Sequence, residues 1–101
     1  MSQTLAYQRQ ATARDLLYLQ TPRLWQHFPF LPLVRRPRSD DPPECGLLYD
    51  ARAVSGRTGY RCTVFLVNLF DVPLSEAALL TRPRCTYDTF EELIDGGWVV
   101  D

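Results

Sequence analysis

The chain has 101 residues, of which 46% are hydrophobic and 23% charged, and a formal net charge of −1. That length suits a single domain, 1–101, with one core, and that composition excludes a chain disordered throughout. The slightly negative charge gives no global attraction to nucleic acid or to an anionic membrane; no apolar run approaches the ~18 residues of a membrane span, and the opening MSQTLAYQRQ lacks the charged-then-apolar layout of a signal peptide, so the expected location is the cytoplasm.

Leu5, Ala6, Ala13, Leu16, Leu17 and Leu19 fall on one side of a wheel at about 100° per residue, which predicts a helix from Leu5 to Leu19 that stops near Gln20. Its far side carries a second ridge, Tyr7, Ala11, Arg14 and Tyr18, spaced four, three and four residues apart. Tyr and Arg bury large area while keeping a polar end, and Ala11 lets another backbone come close, so this ridge is a candidate surface for a protein partner or for self-association, including a homodimer. Thr21-Pro22 supplies an N-cap residue followed by proline at the first helical position, the start of a separate short helix through about Phe28.

Six of the eight prolines lie between Pro22 and Pro43, so a long helix or a central strand is not expected there. Residues 22–34 read as a proline-rich arm with apolar surface to lie on the core, and Leu31 to Arg35 as an edge strand. Residues 35–44 hold no apolar side chain apart from proline, and the expectation is a mobile loop. Cys45 to Val54 and Tyr60 to Phe70 read as two strands of a hairpin joined through Gly56 and Gly59. In the second, Val64, Leu66 and Phe70 alternate with Phe65, Val67 and Leu69, so both faces are apolar and the strand is central. The first is expected to be covered mainly on one side. Ser75 caps a short helix through Leu80, Thr89-Phe90-Glu91-Glu92 has the spacing of a capping box for a second that ends at Gly96-Gly97, and Trp98-Val99-Val100 is a short last strand. The resulting fold class is α+β: a small, mainly antiparallel sheet packed by the N-terminal helix on one face and by short C-terminal helices on part of the other.

Chemistry is harder to find. His27, Cys45, Cys62 and Cys85 include the residue types of a tetrahedral zinc site, but each is at least 17 residues from the next, whereas structural zinc ligands come in close pairs. Buried free thiols are expected instead, with Cys62 inside the sheet, no metal and no cofactor. No phosphate loop, G-x-S-x-G or H-E-x-x-H is present, and no acid and base pair stands out. All eleven basic residues are Arg. Arg52, Arg57 and Arg61 flank the hairpin turn as a candidate anion-binding group, or else Arg52 and Arg61 form a solvated cross-strand face with Asp50. The expected function is a noncatalytic protein-interaction module; the alternative is a nucleic-acid-binding accessory protein using the arginines at the hairpin tip, and a small enzyme comes third.

Overall fold

The computed structural model describes residues 13–35 and 42–101. Five antiparallel strands form one sheet: β1 (Phe30–Arg35), β2 (Glu44–Tyr49), β3 (Thr63–Phe65), β4 (Arg84–Thr86) and β5 (Trp98–Val100), in spatial order β4-β3-β2-β1-β5. The helices are α1, described over residues 13–20, α2 (Ala51–Ser55), α3 (Glu76–Leu79) and α4 (Phe90–Asp95). Among the described residues, no helix is long and apolar enough to cross a membrane.

The fold class is α+β, with α1 and the short C-terminal helices packed on the sheet as the hydrophobic pattern implies. Alternation in the strands divides the core. On one face Leu31, Leu33, Leu48, Val64 and Trp98 pack with Leu19, Trp25, Phe90 and Leu93; on the other Leu47, Tyr49, Phe65 and Val67 pack with Ala51 and Leu79. The C-terminal helices are therefore split, α4 sharing a face with α1 and α3 covering the reverse. β2 is buried on both faces from Gly46 to Tyr49, rather than mainly on one.

Several boundaries differ from the expectations, each for a local reason. Residues 30–35 are not an edge strand but lie between β2 and β5. Pro32 is tolerated there because its carbonyl and its donorless nitrogen face the same side, and that side meets only the end of β5, where the Asp101 N–H donates to the Pro32 carbonyl at 3.1 Å. The two ends of the supposed mobile loop, Arg35 and Glu44, face each other across β1 and β2 and form an ion pair at 2.8 Å; residues 36–41 lie outside the described residues. The first hairpin strand stops at Tyr49, because the Asp50 side chain accepts from the Ala53 N–H and starts α2, and Gly56 at φ 75° ends it. The second narrows to Thr63–Phe65, since the Asn68 side chain accepts from the Phe70 N–H and opens a 3-10 turn, Leu69–Asp71. The helix expected after Thr21 is a single 3-10 turn, Pro22–Leu24, without a side-chain cap from Thr21. Ser75 and Thr89 do cap α3 and α4, the latter with Glu92 returning a bond to the Asp88 N–H.

Two tertiary contacts fix the edge of the sheet. Trp98 is fully buried, its ring beside Gly46, and its Nε1–H donates to the Tyr87 hydroxyl at 3.1 Å. Asp15 of α1, only 6% exposed, accepts from the Val100 N–H at 3.2 Å, so the helix occupies a bonding position on the outer side of β5 that another chain could otherwise use. This carboxylate displaces the leucine stripe: Asp15 and Leu19 are buried and Leu16 half-buried, while Leu17 faces solvent. Asp15→Leu leaves the Val100 donor unpaired and is expected to lower stability by about 1–3 kcal/mol, whereas Asp15→Asn keeps an acceptor and most of that stability. Urea unfolding of the two variants checks this; equal midpoints would show that the bond to Val100 contributes nothing.

Candidate functional site

Two concave surfaces are built from residues that the strands leave at their ends. The first is a groove of about 800 Å³ where β5 stops and β1 continues, lined among others by Arg14 and Tyr18 of α1, Leu24, His27, Cys45 and Phe70. Arg14 and Tyr18 thus belong to a concave surface as well as to a helix ridge, and Tyr18 is 37% exposed. The other two ridge residues, Tyr7 and Ala11, lie outside the described residues. The Tyr18 backbone is fixed from below, because the Trp25 Nε1–H donates to its carbonyl at 2.7 Å and so satisfies one acceptor at the end of α1. Phe70 is 91% exposed on the groove's rim, held out by the Asn68-capped turn, and Leu74 is exposed four residues further on. No pattern in the sequence marked Phe70, which alternation assigned to a strand face.

The second surface is a cleft of about 440 Å³ that collects Arg52, Arg57 and Arg61. They do not flank a hairpin tip. Arg52 is on α2, Arg61 precedes β3, and the solvated cross-strand face with Asp50 is not formed, since Asp50 is the cap of α2. The cleft is floored by Leu19, Trp25, Tyr49, Ala51 and Phe90, all buried. The Arg61 guanidinium lies 5.1 Å from the centre of the Phe90 ring, a cation–π contact. The Arg57 Nε–H donates to Glu76 at 2.6 Å, and the other oxygen of that carboxylate accepts from the Tyr49 hydroxyl at 2.5 Å. The hydrogen bond from Tyr49, with the Arg57 guanidinium, holds the Glu76 carboxyl below the usual carboxylate range.

Cys62 is buried just before β3, and burial pushes its thiol pKa up. Cys45 is exposed, and Cys85 is half-buried in β4 opposite Val64. Among the described residues, no group of three or more His, Cys, Asp or Glu side chains is placed to hold a metal ion. Comparison with known protein families, with curated proteins and with solved structures gives no match. The two surfaces therefore carry the functional reading by their chemistry alone.

Burial, then the bond to Glu76 and that carboxylate's charge, push the Tyr49 hydroxyl from 10 up to about 12. The folded state holds this proton longer than the unfolded chain, so the contribution is fully present below pH 10 and lost as the pH rises from 10 to about 12. The chain contains no lysine to titrate over that window. Tyr49→Phe is expected to flatten the alkaline fall in stability, measured as urea midpoints across it; an unchanged slope would mean that Tyr49 is not the group responsible.

Proposed function

We propose that the protein is a noncatalytic protein-interaction module that docks a protein partner, a second copy of the chain included, on the groove lined by Tyr18, Leu24 and Phe70. The observation that carries this reading is Phe70 at 91% exposure beside Leu24 at 47% and Tyr18 at 37%, on a surface that is already concave. Covering a Phe or Leu side chain contributes about 1.5–3 kcal/mol each, so leaving such groups in water is costly for a free monomer and favours association. Arg14 at the same surface adds a guanidinium to the aromatic and aliphatic anchors, the mixture common at interface centres. Duplex or single-stranded nucleic acid fits less well, because Arg57 is engaged with Glu76 and the net charge is negative.

Phe70→Ser combined with Tyr18→Ala removes the anchors while sparing the core. Sedimentation velocity of the purified chain, alone and with an interactor identified by crosslinking, is expected to show an associated species for the native chain and its loss in the double variant, with thermal unfolding of the monomer nearly unchanged. Association that is the same in both proteins, or absent from both, would contradict the reading.

A further inference from the structure

The second cleft shares Trp25 with the groove but takes its other lining from different residues, and it has a chemistry of its own. We propose that it binds a small organic anion with a flat apolar body, of the class of aromatic carboxylates. Its volume of about 440 Å³ lies in the range of small-molecule sites, roughly 300–1,000 Å³. The floor supplies ring surfaces from Trp25 and Phe90, both buried on one face of the sheet, while the Tyr49 ring stacks on Phe30 on the reverse face. The mouth supplies the charge.

Three guanidiniums, Arg52, Arg57 and Arg61, line the cleft with one carboxylate, Asp50, and Arg57 is bound to a second, Glu76, outside the lining. The mouth is therefore cationic at Arg52 and Arg61, which an anionic head matches and a neutral ligand does not. The three arginines are also not equivalent. Arg57 is held by Glu76, whereas Arg52 and Arg61 make no side-chain hydrogen bond or ion pair among the described residues. Arg61 rests against Phe90, so its guanidinium is partly positioned before any ligand arrives and loses less freedom on binding. Arg52 and Arg61 are thus the residues that meet the anionic head, in the two-pronged geometry guanidinium and carboxylate favour, and Trp25 with Phe90 meets the body. The connecting loop bends between them because Gly56 and Gly59 adopt φ 75° and 90°, a left-handed backbone that other residues resist.

The test uses naphthoate as the complete probe, acetate as the head alone and naphthalenemethanol as the body alone, with nitrogen-15 spectra of the full chain as readout. Trp25 borders both the cleft and the groove, so its indole N–H is read together with the backbone amides of Arg52, Gly59 and Arg61, which line the cleft and not the groove, while the fully buried Trp98 indole serves as the control. Naphthoate is expected to shift the Trp25 indole saturably and leave that of Trp98 in place, with acetate and naphthalenemethanol each at least about tenfold weaker, the ratio expected for loss of one charged hydrogen bond or of the ring contact. Arg52→Ala with Arg61→Ala weakens naphthoate by about tenfold or more, and Arg52→Ala alone, at an exposed position that contributes nothing to the core, weakens it in the same direction. Tyr18→Ala in the groove changes nothing. Equal binding of naphthalenemethanol, indifference to both arginine variants, or stronger shifts of the same resonances by short single-stranded DNA would each overturn the proposal.

Discussion

The structure depends on how closely a tryptophan from the last strand approaches a glycine two strands away. A Cβ at Gly46 would stand 2.9 Å from two atoms of the Trp98 ring and 2.5 Å from a methyl of Val64, closer than packed carbons come. Only a residue without a side chain lets the ring lie there, and the ring in turn covers β2 from its seat on β5, with β1 between them. One indole thus connects the edge of the sheet to its centre. Its single polar atom is satisfied by Tyr87, and the Arg35 guanidinium lies 4.7 Å from the ring centre. Gly97, at φ 98°, sets the turn that delivers Trp98 from the end of α4.

With one face closed by this packing and by α1 and α4, and the reverse closed by α3, the middle of the sheet has no surface to offer a partner. Recognition is displaced to the sheet's margins. The groove appears where β5 runs out along β1, and the cleft where β2 ends at Asp50 and the chain turns away into α2. Glu76 ties these margins to the core: through Tyr49 it reaches β2, and through Arg57 it reaches the loop beside the cleft. The Asp15 bond to β5 plays a parallel part at the other edge, closing a donor while placing Tyr18 at the groove.

Elements whose signals are local were legible in the sequence. Ser75 and the Thr89 to Glu92 spacing announced α3 and α4, and the apolar alternation around Val64 and Phe65 announced a strand covered on both faces, because capping and alternation need only near neighbours. α2 departs from the strand expected over Cys45 to Val54, because Asp50 caps a helix there and Gly56 ends it. β4 was invisible, since Arg84, Cys85 and Thr86 have no alternation of their own and are held by pairing with β3. The burial of Asp15 could not be read either, because its partner is 85 residues away. For the candidate sites, position beside the turn picked out Arg52, Arg57 and Arg61, yet the ring surfaces beside them come from Trp25 and Phe90, which only the fold brings together.

Gly46→Ala is the most direct test of the dependence on Trp98. Equilibrium urea unfolding followed by indole fluorescence is expected to show a lower midpoint, a loss of about 1–3 kcal/mol or more for overpacking at a site with no room to relax, together with a change in the native emission as the Trp98 ring is pushed from its seat. A variant with the native midpoint and the native emission would contradict the account, because the close approach of Trp98 to Gly46 would then not be what holds the edge of the sheet to its centre.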